Sequence, residues 1–296
     1  MIVHQFWYSF DQKDCDSATH LRALNIESIR SILKHHPMFL WSYQTFANVP
    51  HDHDGFELRD CNELLPYSEF QYLLREKKHH IAHISCYIRV LALQKFGGWW
   101  LDSDTIVLRP LPVEDPYYFA TLPSKRVGGG WFHYEKRPSH WANAAHFEGL
   151  DGKDEFQNTP FFVKEKDDPW IAASLAFIKT WLPRKGPMKW RININKMQDL
   201  IIQMGLQNYV HPPIAFCPIP FWMRDQPVKT LFDTQQVKFG AIVPTVNEIL
   251  SKSYCIQFFF MSSEKEKTAK RDDGWLKQIR SQHPDSLFNK ILSAIS

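Results

Sequence analysis

The segment from residue 96 to residue 109 places two carboxylates between apolar stretches, directly after a double glycine. Asp102 and Asp104 follow Trp99–Leu101, which has the composition of a buried strand, and Thr105–Leu108 continues the chain as a second apolar stretch. Carboxylates in such surroundings are costly unless a positive charge balances them. Oxygen ligands favour hard divalent cations such as Mg²⁺ or Mn²⁺, which also carry phosphate groups. The segment therefore predicts a strand that ends at a cation site for a diphosphate-bearing substrate.

The residues before this segment carry the clearest helical pattern of the chain. Between His79 and Phe96, apolar residues recur at i, i+3, i+7 and i+10, which forms one stripe of a helix. Gly97 and Gly98 are expected to end that helix. Arg89 falls on mostly apolar ground rather than on the polar side, so we expect it to have an anionic partner.

Strands and helices alternate in the first part of the chain. Ile2–Tyr8 and Met38–Tyr43 read as strands, with a helix between them that Ser17 or Thr19 would cap and that would extend to about Lys34. This spacing is typical of a βαβ unit and therefore of an α/β sheet. In such sheets ligands bind outside the carboxyl ends of the strands.

The remaining segments read as additions to this first part. Residues 51–78 are polar and mixed, with a short helix from Ser68, and residues 211–227 contain five prolines and are expected to form an ordered coil. Further strands are predicted at 117–122, 130–134, 161–164 and 253–261, and further helices at 170–181 and 194–204. No independent second domain is evident, so we predict one domain over residues 1–296 with two halves that meet at about residue 110.

Composition narrows the partners and the compartment. The net charge is only +3 without a basic stripe, which argues against nucleic acid as a partner. Five cysteines without a Cys-x-x-Cys pair fit a reducing compartment. No transmembrane segment and no secretory leader are recognised, so a cytoplasmic location is expected, with peripheral membrane contact left open. The 11 tryptophans fit a large core or stacking surfaces for sugars or bases.

Two other Asp-x-Asp triplets serve as internal controls for the one at 102–104. Asp14-Cys15-Asp16 and Asp52-His53-Asp54 follow no buried strand, and we interpret both as loop residues. The triplet at 102–104 differs because a helix with an Arg on its apolar side, a double glycine and an aromatic strand precede it.

That context resembles the DXD sugar-binding region of a glycosyltransferase superfamily. The superfamily includes α-1,4-galactosyl- and N-acetylglucosaminyltransferases, outer-chain mannosyltransferases, capsular polysaccharide enzymes and large glucosylating cytotoxins. Its pattern is roughly Ser-Asp-x-x-Arg, then Leu, then Tyr/Phe-Gly-Gly-x-Tyr-Leu-Asp-x-Asp. The chain has Ser85-Cys86-Tyr87-Ile88-Arg89, then Leu93 and Phe96-Gly97-Gly98-Trp99-Trp100-Leu101-Asp102-Ser103-Asp104. Weaker similarities lie at 2–7, 158–162, 186–187 and 254–259.

The resemblance implies the glycosyltransferase-A (Rossmann-like) fold, an α/β fold with a central mixed sheet flanked by helices and with added C-terminal elements. Residues 1–110 would form the nucleotide-sugar-binding half, and residues 111–296 the acceptor and sugar-site half. The implied activity is metal-dependent retaining transfer of a sugar from a nucleotide-sugar, first of all a UDP-sugar, with Mn²⁺ or Mg²⁺ as cofactor. The acceptor would be a glycan, a lipid-linked glycan or a protein, and the product would be an α-linkage of the kind made in polysaccharide biosynthesis.

The resemblance also assigns catalytic roles. Asp104 would ligate the metal directly, and Asp102 would bind the ribose hydroxyls and reach the metal through water or one oxygen. Arg89 would face the diphosphate or the sugar, with a structural ion pair to a nearby carboxylate as the alternative. Trp99 and Trp100 alternate along one strand, so at least one of them is expected in the core.

The donor-binding set is completed by residues of the first strand and of later segments. Trp7 would stack on the uracil ring, with His4 and Gln5 nearby, and the alternative for Trp7 is a place in the core. Asn158 in the middle of the chain and Gln257 in the late strand are the further binding residues that the resemblance implies.

Three positions depart from the family pattern. Cys86 occupies the position at which relatives have an Asp that contacts the donor sugar. Gln257 replaces the late His of the family pattern, and Phe259 replaces the late Trp. These changes fit an altered donor pocket, and they also fit a catalytically inactive carbohydrate-binding or scaffold protein on the same fold. A metal-dependent phosphohydrolase would need further Asp or His ligands at strand ends, and the sequence offers no convincing set.

Overall fold

The computed structural model describes residues 1–9, 21–122, 155–186, 190–219, 236–238, 241–258, 281 and 286–295. Ser17, Thr19, the triplet at 14–16 and the strand predicted at 130–134 lie outside the described residues. The chain divides into two compact units. The first unit comprises Met1–Ser103, Pro112–Tyr118 and Asn158–Leu206, and the second comprises Asp104–Leu111, Phe119–Gln157 and Gln207–Ser296. Both units take segments from either side of residue 110, and the single domain remains a prediction.

The strands of the described residues are numbered in chain order. They are β1 (Val3–Phe6), β2 (Met38–Ser42), β3 (Phe56–Asp60), β4 (Gly98–Trp100), β5 (Thr105–Val107), β6 (Tyr117–Leu122), β7 (Glu155–Val163), β8 (Val210–His211), β9 (Gln236–Lys238), β10 (Ala241–Val243) and β11 (Cys255–Gln257).

The α-helices of the same residues are α1 (Ala23–Leu33), α2 (Tyr67–Gln71), α3 (Ile81–Phe96), α4 (Pro169–Trp181), α5 (Trp190–Gln203), α6 (Pro213–Phe216), α7 (Val246–Lys252) and α8 (Leu287–Ile295). A π-helical segment at Tyr72–Glu76 follows α2, and short 3₁₀ helices lie at Cys61–Glu63 and Gln207–Tyr209. None of these helices is long and apolar enough to cross a membrane.

The first unit is built on a mixed sheet. β3, β2, β1 and β4 are parallel neighbours in that order, and β7 pairs antiparallel with β4. Val3 is opposite both Met38 and Trp99, which fixes the register of the three central strands. α1 packs against β2, and α3 packs against β1 and β4. The sheet and its helices confirm the predicted α/β class and the predicted βαβ unit.

Three strand pairings are described among the residues of the second unit. β5 and β11 are antiparallel, with Thr105 opposite Gln257 and Val107 opposite Cys255. Within this unit the residues of β6 and β8 pair in parallel, and β9 and β10 pair antiparallel. α6 packs against β11 and α7, and α7 packs against α8.

Three predictions about elements were wrong. The cap expected at Ser17 or Thr19 is replaced by Arg22, because α1 begins only at Ala23. The polar segment at 51–78 contains β3, which lies at the edge of the sheet with Glu57 and Asp60 exposed. An edge strand needs few apolar side chains, so its composition is close to that of a loop. α6 similarly lies within the predicted coil at 211–227.

The two glycines after α3 turn the chain from the helix into β4. Gly97 is the C-cap, with φ +63° and its amide donating to the Leu93 carbonyl oxygen at 2.8 Å. Gly98 has φ +100°, and a Cβ atom there would lie 2.4 Å from the Ile2 carbonyl oxygen. Glycine at position 98 therefore lets β4 approach β1 closely, and the turn formed by both glycines brings the residues after Trp100 to the carboxyl end of the parallel strands.

Candidate functional site

Asp102 follows β4 at the carboxyl end of the strand, and one of its oxygens is held by two side chains of the first unit. Its Oδ1 accepts hydrogen bonds from Arg89 Nη2 at 3.0 Å and from Trp100 Nε1 at 3.2 Å. The Arg89 side chain is 2% exposed, whereas that of Asp102 is 32% exposed. The carboxylate is therefore fixed from the protein side while about a third of its surface faces outward.

Arg89 lies on α3 between two aromatic rings. Its guanidinium carbon is 5.3 Å from the centre of the Trp100 ring and 5.8 Å from that of Phe161. Aromatic faces attract a cation, and a buried guanidinium still requires a carboxylate. The expected anionic partner of Arg89 is confirmed as Asp102. The contact of Arg89 with a diphosphate or a sugar remains a prediction.

Both tryptophans of β4 are buried, which goes further than the prediction that one of them is. Trp99 is 0% exposed and its Nε1 donates to the Pro112 carbonyl oxygen at 3.0 Å. Trp100 is 1% exposed and its Nε1 donates to Asp102. Trp100 therefore orients the carboxylate that is predicted to bind the ribose. The sequence did not predict this role for Trp100.

The backbone after β4 is held from β1 and α1. Gln5 Nε2 donates to the Asp102 carbonyl oxygen at 3.2 Å and to Ser28 Oγ at 2.8 Å. Asn25 Nδ2 donates to the Ser103 carbonyl oxygen at 2.8 Å. Asn25 and Ser28 were missed by sequence reasoning, although both interrupt the apolar stripe of α1 and polar residues in such a stripe are a usable signal.

His4 was predicted near the uracil ring, but it lies in the core. The residue is 0% exposed, its Nδ1 accepts from Trp41 Nε1 at 3.2 Å, and its Nε2 donates to the Gly97 carbonyl oxygen at 2.9 Å. Burial lowers the pKa of the imidazole to about 4, so the ring is neutral at pH 7. Since both ring nitrogens are used inside the first unit, we treat His4 as a packing residue and do not place it in the proposed site.

Trp7 follows β1 and is 7% exposed. The guanidinium carbon of Arg22 is 5.2 Å from the centre of its ring. The Trp7 backbone is tied to β2, since its amide donates to the Trp41 carbonyl oxygen at 3.1 Å and its carbonyl oxygen accepts from Ser42 Oγ at 2.8 Å. This degree of burial fits the core alternative, and stacking on uracil remains a prediction.

Asp104 and Gln257 lie together in the second unit. Gln257 Nε2 donates to Asp104 Oδ1 at 3.4 Å, and the Phe258 amide donates to the Asp104 carbonyl oxygen at 3.2 Å. Asp104 is 5% exposed and Gln257 is 4% exposed. The antiparallel register of β5 and β11 brings these two side chains close. The position of Gln257 beside Asp104 is thus described, while its contact with a donor remains a prediction.

Two further positions bear on the donor. Cys86 lies on α3 and is 2% exposed. A buried thiol at this position offers a weak hydrogen-bond donor in place of a carboxylate. Asn158 lies on β7, and the role predicted for its side chain stays a prediction.

The side chains around the acidic triplet fit a hard divalent cation only in part. Among the residues that the structure describes, no group of three or more His, Cys, Asp or Glu side chains is placed to hold a metal ion. Asp102 and Asp104 nevertheless provide carboxylate oxygens two residues apart, and Mg²⁺ sites typically combine one or two carboxylates with substrate phosphates. The triplet at 52–54 differs from the one at 102–104, because Asp52 and Asp54 are exposed in a turn.

The fold and these residues define an α/β protein with acidic groups after a parallel strand. Residues 20–123 match the family model described as the glycosyltransferase sugar-binding region containing the DXD motif. No curated protein matches the chain. Among solved structures it is similar to PaToxG glycosyltransferase, with 15% identity over 69% of each chain and a TM-score of 0.40. It is also similar to a transferase mutant, with 13% identity over 70% of this chain and 86% of the other and a TM-score of 0.37.

The matched segment includes α3, β4 and both acids of the 102–104 triplet. Residues 20–123 are therefore similar to the DXD sugar-binding region of glycosyltransferases, and this similarity covers about a third of the chain.

Proposed function

We propose that the chain transfers a sugar from a UDP-sugar to a hydroxyl of a glycan, a lipid-linked glycan or a protein, with retention of configuration. The family match supports glycosyl transfer in general. The nucleotide, the metal and the stereochemistry are proposals that follow from the resemblance of the 80–110 segment.

The arrangement of Asp102 is the observation that carries this proposal. Two buried donors, Arg89 and Trp100, hold Oδ1, and the carboxylate is still 32% exposed. A carboxylate that is oriented before its ligand arrives loses little conformational entropy on binding. A purely structural ion pair would gain nothing from partial exposure, because solvent screens its attraction.

Asp104 and Asp102 would hold Mn²⁺ or Mg²⁺ together with diphosphate oxygens. When bound, the cation acts as a Lewis acid that neutralises charge on the diphosphate. Gln257 would orient the Asp104 carboxylate through the hydrogen bond to Oδ1. Gln257 is also neutral at every pH at which the protein folds, whereas the His of relatives is not.

The proposed reaction breaks the bond between the sugar C1 and the diphosphate oxygen and forms a bond between C1 and the acceptor oxygen on the same face. The acceptor proton passes to an oxygen of the leaving phosphate. This route requires no carboxylate nucleophile beneath C1. The chain's own residues would orient the donor. Asp102 would contact the ribose and Trp7 would contact the base, while Arg89 holds the Asp102 carboxylate through its hydrogen bond to Oδ1.

Calorimetry with UDP in the presence and absence of Mn²⁺ tests the nucleotide and the metal separately. We expect UDP to bind at least 10-fold more tightly with Mn²⁺ than without it. Absence of binding, or equal binding under both conditions, would overturn the proposal. A panel of UDP- and GDP-sugars, assayed for donor hydrolysis, then identifies the sugar.

Replacing Asp104 tests the assigned ligand. Asp104→Ala should lower metal-supported donor hydrolysis by about 100-fold or more, because the loss of a directly coordinating oxygen removes several kcal/mol of charge stabilisation. Asp54→Ala is the matched control, since Asp54 belongs to an exposed Asp-x-Asp triplet. Circular dichroism verifies the fold of both variants. Turnover of Asp104→Ala close to that of the control would contradict the assignment.

The buried Cys86 favours a second candidate, a sugar-binding protein without turnover on the same fold. A carboxylate that contacts the donor sugar in relatives is absent at this position. If UDP binds with Mn²⁺ and no donor in the panel is hydrolysed or transferred, this second candidate replaces the first.

A further inference from the structure

A group of buried polar side chains, which we call the amide clamp, lies beneath the loop that carries Asp102. It consists of Gln5 on β1 and Asn25 and Ser28 on α1. Gln5 and Ser28 are 0% exposed and Asn25 is 4% exposed. Gln5 Nε2 reaches the Asp102 carbonyl oxygen, Asn25 Nδ2 reaches the Ser103 carbonyl oxygen, and Ser28 Oγ accepts the second hydrogen bond of Gln5 Nε2.

Burying the two amide side chains of the clamp is unfavourable for the free energy of folding. Within the part of the chain that the structure describes, Gln5 Oε1 and Asn25 Oδ1 are buried without a hydrogen-bond partner. Leaving such a buried acceptor unpaired costs its full desolvation free energy. An apolar pair at these positions would avoid that cost, so packing alone does not account for the two amides. Their nitrogens, in contrast, both donate to consecutive carbonyls of the acidic loop.

We infer that Gln5 and Asn25 are positioning residues, which hold the Asp102–Ser103 backbone so that the Asp102 carboxylate meets Arg89 and Trp100. These two bonds connect consecutive carbonyls of the loop to β1 and α1. The functional part of this inference rests on the proposed function, because it treats Asp102 as a donor-binding group. Its structural part, the placement of Asp102, does not.

Asn25→Asp is the sharpest test of the clamp. The substitution keeps the shape of the side chain but replaces the amide donor with an oxygen that repels the Ser103 carbonyl oxygen. Asn48→Asp is the matched control, because Asn48 Nδ2 also donates to a backbone carbonyl, that of Leu21, at 2.8 Å. Loss of a hydrogen bond with added repulsion should weaken affinity by about 10- to 100-fold.

Two measurements separate the structural and functional parts. The ¹H–¹⁵N signal of the Trp100 indole, assigned with Trp100→Phe, reports the hydrogen bond to Asp102 without any ligand. Calorimetry with UDP and Mn²⁺ reports donor binding. We expect Asn25→Asp to shift the Trp100 signal and to weaken UDP binding about 10-fold or more. Asn48→Asp should leave the Trp100 signal in place and change UDP binding by less than about 2-fold.

A milder pair of variants keeps the test decisive if Asn25→Asp does not fold. Ser28→Ala removes the hydroxyl that orients Gln5, whereas Ser31→Ala removes a buried hydroxyl of the same helix that donates to the Ser28 carbonyl oxygen at 2.7 Å. We expect Ser28→Ala alone to shift the Trp100 signal, with binding weakened about 3- to 10-fold.

The outcomes distinguish the inference from the proposed function. An unchanged Trp100 signal in both Asn25→Asp and Ser28→Ala would overturn the clamp, whatever the wild-type protein binds. A shifted signal with UDP bound as tightly as by the wild type would overturn the link between the clamp and donor binding. Failure of the wild-type protein itself to bind UDP with Mn²⁺ would overturn the proposed function and leave the placement of Asp102 by the clamp intact.

Discussion

The buried imidazole of His4 makes the stability of the protein depend on pH in a way that can be calculated. The pKa of His4 is about 4 in the folded protein, against an ordinary value of 6.5. Burial is the main cause, and the positive charge of Arg59 acts in the same direction. The unfolded chain therefore binds a proton at His4 more readily than the folded chain does, so stability falls as the pH falls from about 6.5 towards 4.

The size of this effect follows from the two pKa values. Between about pH 7.5 and pH 5, the contribution of His4 to the free energy of unfolding falls by about 2 kcal/mol, and complete protonation would remove about 3 kcal/mol. His36 and His83, whose pKa values are also lowered to about 4, are only partly buried and contribute less. A variant without His4 isolates its share from theirs.

His4→Gln is suited to this purpose, because the Gln amide can still donate to the Gly97 carbonyl oxygen and does not titrate. The free energy of unfolding can be measured by urea unfolding at about pH 7.5 and at pH 5, followed by tryptophan fluorescence. Between these pH values it should fall by about 2 kcal/mol less in the variant than in the wild type. The lower absolute stability expected of the variant does not affect the comparison. Equal losses in both proteins would show that His4 titrates near its ordinary pKa, and would refute its assignment to a dry core.

Two further predictions concern the segment around the acidic loop. Gly98→Ala should destabilise the protein by about 2–5 kcal/mol, because its φ is +100° and its Cβ would lie 2.4 Å from the Ile2 carbonyl oxygen. Gly205→Ala, which has φ +69° and open space, should cost only about 1–2 kcal/mol in the same urea assay, and equal costs would contradict the close approach. Arg89→Lys keeps the charge but not the planar group, so UDP affinity with Mn²⁺ should fall about 10-fold by calorimetry. Unchanged affinity would show that Asp102 needs no guanidinium.

The sequence predicted the anionic partner of Arg89 and the turn before β4 because short-range patterns determine them. The helical periodicity placed Arg89 on apolar ground, and a buried guanidinium needs an anion, so a carboxylate partner was expected. The double glycine predicted the turn between α3 and β4. These features depend on residues within about 25 positions of one another, and the described structure confirms them.

Other features depend on contacts that the sequence does not contain. The neutral state of His4 is set by its burial, and pairing of β1 with its neighbours brings the ring to its two partners, Trp41 on β2 and the Gly97 carbonyl oxygen. β3 escaped prediction because an edge strand can carry charged residues such as Glu57 without burying them. Asn25 interrupts the apolar stripe of α1 and so signals a polar partner, but the sequence does not identify the Ser103 carbonyl oxygen as that partner.

The pairing of Arg89 with Asp102 changes the argument for a cation at the acidic triplet. The two carboxylates of the triplet were expected to require an external positive charge, but the negative charge of Asp102 is already balanced inside the first unit. The demand for a cation therefore falls mainly on Asp104, and one carboxylate with an amide neighbour is a weak site for Mg²⁺ or Mn²⁺ by itself. Diphosphate oxygens would have to complete the site, so the metal and the nucleotide should depend on each other for binding. The calorimetric titrations with and without Mn²⁺ measure this dependence directly.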